Sequence, residues 1–187
     1  SDTDNITNDT VPRITGSAEA GSVVQLFQTG EQEQDSQLVG ETTADDTGNW
    51  QIATNNLADG TYNFSASATD IAGNTNNSST MLELTVDTTQ PTINFTTSID
   101  TEPLAEGARL TGNLDGSGSD ISAISYRFND GAEIAVTFND TGAFDQEFDL
   151  TGVSDGDYTL TVTITDTAGN ISTTTYNITI AGSSEIT

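Results

Sequence analysis

The feature that most limits the fold of this chain is an internal repeat. Four short segments each occur twice, in the same order. The pairs are ITG and LTG from Ile14 and Leu110, DTGNW and DTGAF from Asp46 and Asp140, DGTY and DGDY from Asp59 and Asp155, and TDIAGN and TDTAGN from Thr69 and Thr165. In every pair the second segment follows the first by 94 or 96 residues. Such a spacing indicates one structural unit present twice, so we predict two domains, at residues 1–88 and 89–187.

Within each unit, apolar and polar residues alternate as they do in β-strands. In residues 158–165, Tyr, Leu, Val and Ile alternate with threonine, and residues 62–68 alternate in the same manner. Successive side chains of a strand point to opposite faces, so this pattern predicts strands with one buried face. Turn-forming Gly and Asp residues recur about every ten residues, which is the spacing expected in a β-sandwich.

The predicted fold is all-β, with two tandem seven-stranded Ig-like Greek-key β-sandwiches arranged end to end. The strands of the second unit are expected at 91–99, 108–114, 121–129, 132–139, 143–150, 157–166 and 173–180. The first unit is expected to follow the same order from near Ile6, with its third strand near Val23 to Gln28. An odd number of strands lets the chain enter a unit at one pole and leave it at the other.

Four aromatic residues occupy matching positions in the two units. Tyr62 and Tyr158 each follow an Asp-Gly turn at the start of the sixth strand. This position is similar to the tyrosine corner of Ig-like sandwiches, in which the hydroxyl group bonds to nearby backbone. We prefer this structural interpretation to carbohydrate stacking. Trp50 and Phe144 begin equivalent strands and are expected in the cores.

The charge balance excludes several classes of function. The chain has 29 acidic and 3 basic residues, with a formal net charge of -26. Phosphates and anionic lipids would be repelled, so neither nucleic-acid binding nor direct membrane insertion is expected. The chain lacks Cys and His, the usual ligands of zinc and copper. Abundant carboxylates need a counter-ion, and calcium prefers oxygen ligands. We therefore predict Ca2+ as the cofactor.

Several segments resemble the bacterial Ig-like repeats of very large adhesins, often RTX adhesins exported by type I secretion. They are GSAEAGSVVQLF, DDTGNW, LADGTYNFSASATDIAGN and LELTVDTTQP. The resemblance covers nearly the whole chain and is stronger in the first unit. It implies an extender region at the bacterial cell surface that supports adhesion or biofilm formation, with calcium stiffening the domain junctions. It also implies a monomer whose partners are neighbouring repeats of the same long chain.

The strand order predicts where carboxylates should gather. In a seven-stranded sandwich, the loops after the second, fourth and sixth strands share the pole at which the chain enters. The calcium ligands predicted on these loops and on the linkers are Asp2, Asp4, Asp9, Glu19, Asp46, Asp59, Asp70, Asp87, Asp115, Asp120, Asp140 and Asp166. Asp70 and Asp166 are the strongest candidates, and Asp87 follows because it lies where one domain becomes the other. Asp2, Asp4 and Asp9 lie on the segment that enters unit 1 and are expected beside its entry-pole loops, whereas Asp59 is expected at the exit pole. The alternative is that these aspartates only form turns.

Catalysis is not expected. Without His, Cys or Lys, the chain lacks the common general bases and nucleophiles, and its acidic residues lie in repeated turn motifs. The alternative to a spacer is a module that binds a glycan or a host protein. The irregular segments Thr29 to Gln37 and Ser98 to Glu106 are the places for such a site. An ice-binding threonine array is disfavoured because sandwich sheets are twisted.

Overall fold

The chain folds as two compact units, Ser1–Thr88 (unit 1) and Thr89–Thr187 (unit 2). The computed structural model describes residues 4–29, 36–77, 80–97, 99 and 102–182. Within those ranges the regular elements are all strands, so the prediction of an all-β fold is confirmed. The same ranges contain no helix that is long and apolar enough to cross a membrane.

Unit 2 consists of two sheets that face each other. Its strands are β9 (Thr92–Phe95), β10 (Arg109–Asp115), β11 (Ile121–Phe128), β12 (Ile134–Ala135), β13 (Ala143–Glu147), β14 (Gly156–Asp166) and β15 (Ile171–Ile180). One sheet has the order β13-β10-β9 and the other β12-β11-β14-β15. Neighbours that are distant in sequence, such as β10 and β13, give the crossover connections expected of a Greek key.

The predicted fourth strand of unit 2 is wrong in length. Residues 132–139 were expected to form one strand, whereas β12 contains only two residues and pairs with β11. Phe138, three residues further on, forms a bridge to Phe144 at the start of β13. The chain therefore changes from one sheet to the other inside the predicted strand, and alternation of apolar residues continues through that change.

The core of unit 2 is large and aromatic. Fifteen buried apolar side chains form one cluster between its sheets. Tyr126 and Phe148 pack edge to face with ring centroids 5.1 Å apart, and Phe128 lies within 6.0 Å of Phe148. Such edge-to-face pairs add about 0.5–1.5 kcal/mol each to the stabilisation from burial. The hydroxyl oxygen of Tyr126 accepts a bond from the Asp149 amide, and burial raises the pKa of this tyrosine.

Unit 1 repeats this plan, with eight strands in its described residues. They are β1 (Ile6–Thr7), β2 (Arg13–Ser17), β3 (Val23–Thr29), β4 (Gln37–Thr43), β5 (Asn49–Ala53), β6 (Gly60–Thr69), β7 (Thr75–Asn77) and β8 (Leu82–Val86). One sheet has the order β1-β8-β6-β3-β4, with β7 also paired to β6, and the other contains β2 and β5. Seven buried apolar side chains form the main cluster between them.

The eighth strand of unit 1 arises because its last strand is split. Gly60 pairs with Val86 in unit 1, and Gly156 pairs with Ile180 at the equivalent position of unit 2. The segment from Asn74 to Val86 is two residues longer than the equivalent segment of unit 2. The extra residues shift the pairing with β6 between β7 and β8. β15 pairs with β14 in one register throughout.

In both units the chain near the beginning lies parallel to the last strand. Ile6 and Thr7 of β1 pair with Thr85 and Val86 of β8. In unit 2, Leu104 forms a parallel bridge to Ile180. The amide of Leu104 donates to the Thr179 carbonyl at 2.8 Å, and that of Ala181 donates to the Leu104 carbonyl at 2.9 Å. In unit 1 these hydrogen bonds join the first strand to the last, whereas in unit 2 they join the last strand to the segment between β9 and β10.

The three arginines of the sequence all lie within strands. Arg13 pairs with Ala53, Arg109 with Glu147, and Arg127 with Thr161. The Arg109 Nε donates to Asp145 Oδ1 at 2.5 Å. Both side chains of this ion pair are exposed, so it contributes little to stability.

Candidate functional site

Three loops of unit 1 meet at one end of the sandwich, which we call the near pole. The Ala18 amide donates to the Gly48 carbonyl at 2.8 Å, which joins the β2–β3 and β4–β5 loops. Val23 pairs with Thr69, so the β2–β3 loop also lies beside the turn that begins at Asp70. The predicted meeting of these loops at one pole is confirmed.

The near pole of unit 2 is built in the same manner. The Leu114 amide donates to the Gly142 carbonyl at 2.9 Å, and the Thr167 amide donates to the Asp120 carbonyl at 2.7 Å. The structure thus brings four predicted candidates to one end of the unit, and these are Asp115, Asp120, Asp140 and Asp166. Gln90 joins them, because its side-chain amide donates to the Ile171 carbonyl at 3.0 Å.

The repeated TDxAGN motif forms a closed turn in both units. Asp70 Oδ1 accepts the Asn74 amide at 2.8 Å, and Asp70 Oδ2 accepts the Asn74 side-chain amide at 2.7 Å. Asp166 and Asn170 make the same two bonds, at 2.8 and 3.0 Å. Each carboxylate therefore holds its own turn together, as the turn-forming interpretation requires. The asparagine is a hydrogen-bond donor in both turns, a role that the sequence analysis missed although the motif contains it twice.

The two aspartates of these turns differ in burial. The Asp166 residue is 1% exposed, whereas Asp70 is only partly buried. The Asn74 side-chain amide, followed by the Asn74 backbone amide, lowers the pKa of Asp70 below its ordinary value. Asp166 is thus a buried side chain, and the hydrogen bonds to its carboxyl oxygens come from Asn170.

The β4–β5 turn shows that one of the acidic positions does not require charge. Asp45 Oδ1 accepts the Thr47 amide, the Thr47 hydroxyl and the Asn49 amide at 2.7–2.9 Å. The Thr47 hydroxyl is the main cause of a lowered pKa at Asp45. In unit 2 the amide oxygen of Asn139 accepts the equivalent three bonds at 2.7–3.0 Å. A neutral side chain therefore performs the same task.

The remaining candidates of the near poles are exposed residues on turns. Asp46 and Asp140 lie at equivalent turn tips, and Glu19 and Asp120 are also exposed. Asp115 Oδ1 accepts the Ser117 amide at 2.9 Å, which is again a local turn contact. Exposure leaves these carboxylates accessible to a cation from solvent.

A second acidic group lies at the opposite, far pole of unit 1. The pairing of Gly60 with Val86 places Asp59 opposite Asp87. Asp59 Oδ1 accepts both the amide and the hydroxyl of Thr88, at 3.0 and 2.7 Å. Asp87 is 3% exposed, and its amide donates to the Thr7 carbonyl at 3.0 Å. The predicted location of Asp59 at the exit pole is confirmed.

The predicted placement of Asp4 and Asp9 beside the near-pole loops is wrong. β1 runs parallel to β8, which brings Asp9 to the far pole and leaves Asp4 alongside the middle of β8. The alternation of the sequence could not show which sheet this short strand joins. Asp4 Oδ1 accepts the Ile6 amide, and Asp9 Oδ1 accepts the Val11 amide. Asp2 lies outside the described residues, as do parts of the segments Thr29 to Gln37 and Ser98 to Glu106.

The candidate carboxylates lie on shared poles without forming a ready-made metal cage. Across the described ranges, no group of three or more acidic side chains is arranged to hold a metal ion. Calcium also accepts backbone carbonyls, side-chain amides and water as ligands. The donor chemistry of the poles is therefore of the right type, although side-chain carboxylates alone do not complete a coordination sphere.

The predicted tyrosine corners are confirmed. The Tyr62 hydroxyl donates to the Ala58 carbonyl at 2.9 Å, and the Tyr158 hydroxyl donates to the Ser154 carbonyl at 3.0 Å. Phe144 is buried as predicted, at 4% exposure, whereas its counterpart Trp50 is only partly buried. Both tyrosine hydroxyls thus form hydrogen bonds to the backbone of their own unit.

Comparison with solved structures finds one pair of modules with a similar fold and two adhesin structures with lower similarity. The fibronectin(III)-like modules of CbhA from Clostridium thermocellum align over 99% of this chain and 95% of theirs, with a TM-score of 0.60 and 16% identity. A tetra-tandem repeat from the extending region of a large adhesion protein aligns over 93% of this chain, with a TM-score of 0.41 and 20% identity. A Ca2+-stabilized, ice-binding adhesin of an Antarctic bacterium aligns over 95%, with a TM-score of 0.39 and 23% identity. This chain spans 47% and 45% of those two adhesin structures.

Sequence comparison gives the family. Among curated proteins no relative matches this chain. The sequence profile of the bacterial Ig-like domain matches twice, over residues 1–88 and 92–181, so that nearly the whole chain is covered. This result confirms the predicted fold class of two Ig-like sandwiches. The chain therefore belongs to the bacterial Ig-like domain family and contains two copies of that domain.

Proposed function

We propose that this chain is a spacer segment of a bacterial cell-surface adhesion protein, in which it carries tension between other parts of the molecule. The observation that supports the proposal best is the parallel pairing of the first and last strands of unit 1, β1 and β8, to which the parallel bridge between Leu104 and Ile180 corresponds in unit 2. Ig-like and fibronectin-III-like folds serve mainly as structural or binding modules, and both comparisons point to such folds.

Parallel terminal strands resist a pull on the ends of a unit. When the first strand is pulled backwards and the last strand forwards, the force acts along both strands. The hydrogen bonds between them are then loaded together instead of being opened one after another. In unit 1 these bonds join Thr85 to Asn5 at 2.8 Å and Asp87 to Thr7 at 3.0 Å. This arrangement suits a segment that must transmit force without unfolding.

The setting that we propose is extracellular, at the cell surface. The similar solved repeats are described as parts of adhesion proteins, one of which helps its bacterium to reach out and bind ice, and the chain resembles them only in architecture. Its net charge of -26 keeps it soluble and discourages association with other acidic surfaces. Export by type I secretion and a role in biofilm formation are the finer parts of this proposal.

We include calcium binding at the poles in the proposal. The supporting observations are the acidic loops of each near pole and the pairing of Asp59 with Asp87 at the far pole of unit 1. A cation there would reduce the repulsion between carboxylates and would add oxygen-mediated links between loops. Calcium would thereby stiffen the loops through which tension passes.

Single-molecule pulling on both ends of the chain tests the spacer role. Replacement of Thr85 by proline removes the amide that donates to the Asn5 carbonyl. We expect Thr85→Pro to lower the unfolding force of unit 1, and the matched control Thr85→Ala, which keeps the amide, to leave it unchanged. Equal forces for all three proteins would contradict load transmission through the parallel pair.

Thermal unfolding with calcium and with chelator, at fixed ionic strength, tests the cation. A ligand that binds only the folded state stabilises it by about 2.7 kcal/mol at a hundredfold excess over its dissociation constant. We expect a rise in Tm with calcium that magnesium does not reproduce. An unchanged Tm would remove calcium from the proposal and would leave the spacer role to be judged on the pulling data.

A further inference from the structure

The edge of β2 in unit 1 differs from the equivalent edge in unit 2. β10 pairs with β13 on one side and with β9 on the other, where Gly112 faces Phe95 and Leu114 faces Ile93. β2 is the counterpart of β10, since Gly16 and Gly112 belong to the same repeated motif. Within the residues that the structure describes, β2 pairs with β5 alone. Unit 1 therefore presents an open strand edge where unit 2 has a third strand.

In unit 2 the third strand also completes the core. Ile93 and Phe95 pack against the buried cluster. The Phe95 ring meets Phe144 edge to face at 6.2 Å and Tyr176 edge to face at 5.5 Å. β9 thus contributes backbone hydrogen bonds and two apolar side chains to one end of the sandwich.

Unit 1 contains a cleft at the matching place. Its volume is about 850 Å3, and its wall includes Ile14, Gly16 and Ala66. Trp50 and Leu82 also line it. These last two are the counterparts of the residues that hold Phe95, because Gly16 faces Trp50 as Gly112 faces Phe144. Likewise, Leu82 pairs with Phe64 as Tyr176 pairs with Leu160.

The partial exposure of Trp50 fits an incomplete wall. Phe144, with Phe95 beside it, is 4% exposed, whereas Trp50 is only partly buried. The two rings lie over equivalent glycines, and a Cβ added to Gly16 would come within 2.5 Å of the Trp50 ring. Because Gly16 has no side chain, the Trp50 ring can lie directly against β2. Trp50 also lines the cleft.

We propose that the β2 edge and this cleft form an acceptor site for an antiparallel strand with the chemistry of β9. The donor is an extended segment with apolar residues at alternate positions, one of them aromatic and seated beside Trp50. By analogy with β9, which precedes the parallel bridge at Leu104, the donor is polypeptide that leads into unit 1 rather than a separate molecule. Strand addition of this kind combines main-chain hydrogen bonds with side-chain pockets. The inference comes from comparing the two units and does not depend on the spacer role.

A graft onto the intact chain tests this site. A copy of residues 90–99, placed ahead of Ser1, supplies the β9 sequence with a connection to Thr7 similar in length to that between Phe95 and Leu104. Trp50 is the single tryptophan of the sequence and reports on unit 1 alone. We expect a shift of its emission to shorter wavelength, weaker quenching by acrylamide, and slower amide exchange in β2. Burial of Ile and Phe should also raise the Tm of unit 1 by about 5–15 °C.

The control graft carries Ile93→Asp and Phe95→Asp in the added copy only, so that the native β9 is unchanged. It should leave Trp50 emission and the Tm of unit 1 as they are in the parent chain. Equal behaviour of the two grafts would overturn the acceptor site. The same peptide added free at micromolar concentration should have a smaller effect than the graft, because tethering supplies the segment at an effective concentration of about 1 mM.

Discussion

The two units share their turns but differ in what lies between the sheets. The near-pole turns at Asp70 and Asp166 have the same bonds, and so do the tyrosine corners at Tyr62 and Tyr158. Yet among the residues that the structure describes, the main buried cluster of unit 2 has fifteen apolar members and that of unit 1 has seven. Phe95 and Tyr176 form a close aromatic pair in unit 2. Unit 1 has Leu82 at the position of Tyr176 and no described counterpart of Phe95. The repeated motifs thus specify the turns, while the residues between them decide how completely each core is filled.

The largest loss of unfolding free energy should come from replacing Phe144, near the start of β13, and a smaller one from replacing its counterpart Trp50 in β5. Phe144→Ala removes a buried ring and should destabilise unit 2 by about 3–5 kcal/mol. Trp50→Ala should cost about 1–2 kcal/mol, because the partly exposed ring loses less contact although it is larger. Hydrogen–deuterium exchange in increasing urea, read from peptides of β6 and β14, measures both units in one chain. A greater loss for Trp50→Ala would reverse the comparison.

The second largest loss of stability should come from replacing the aspartates of the two TDxAGN turns. Asp166→Ala removes the buried carboxylate that accepts two hydrogen bonds from Asn170 and should destabilise unit 2 by about 2–3 kcal/mol. Asp70→Ala should have a smaller effect, because water can reach the Asn74 amides. The same exchange experiment compares the variants, and Asp166→Asn serves as a control that preserves volume. Equal losses would mean that burial does not distinguish these turns.

The tyrosine corners should respond alike. Tyr62→Phe and Tyr158→Phe each remove one hydroxyl bond to a backbone carbonyl, at 2.9 and 3.0 Å. Each change should cost about 0.5–1.5 kcal/mol. Urea midpoints of the two units provide the measurement. If the two variants lost amounts of stability that differed by well over 1 kcal/mol, the surrounding core, and not the hydroxyl bond itself, would determine how much each corner stabilises its unit.

The smallest effect at neutral pH should come from exchanging the side chains of the β4–β5 and β12–β13 turns. Asp45→Asn and Asn139→Asp should both be nearly neutral, because either side chain accepts the same three bonds. The two variants should differ in acid. The pKa of Asp45 is lowered on folding from an ordinary 3.8, so its contribution is present above that pH and is lost as the pH falls through the lower, folded value.

Acid titration of stability therefore sharpens the comparison. Asp45→Asn should remove part of the acid sensitivity of unit 1, and Asn139→Asp should add a similar sensitivity to unit 2. Asp70 remains in both unit 1 proteins and loses its own contribution in the same direction, so only the difference between proteins reports on Asp45. Thermal unfolding between pH 5 and 2 measures it. Identical pH profiles would show that the turn does not depend on the charge state of this carboxylate.

Sequence reasoning predicted those features that are encoded locally and repeated. Alternation of Tyr158, Leu160 and Val162 with threonine marked β14, and Asp-Gly turns located the tyrosine corners. The order of strands then placed the near-pole loops together. Features that depend on long-range choices were not predictable in this way. β1 pairs with β8 instead of entering at the near pole, and the chain changes sheets after β12 although the apolar alternation of the sequence continues there.

The candidate calcium ligands illustrate a further limit. The sequence alone does not distinguish an aspartate that accepts hydrogen bonds within its own turn from an aspartate that binds a cation. The aligned repeats did contain one useful signal, because Asn139 replaces Asp45 at a turn of the same geometry. Such a substitution indicates that hydrogen bonding, and not charge, is required at that position. No similar replacement separates the roles of Asp70 and Asp166.

The positions of the three arginines have a consequence for protease resistance. Trypsin cleaves after Arg and Lys, the sequence contains no lysine, and Arg13, Arg109 and Arg127 all lie in paired strands. A protease needs a locally unfolded stretch of chain, which loops supply and paired strands do not. The loops of both poles therefore contain no site for trypsin, and cleavage requires a strand to separate from its neighbours. The rate of tryptic cleavage should accordingly measure how often each sandwich opens, with Arg13 reporting on unit 1 and the other two on unit 2.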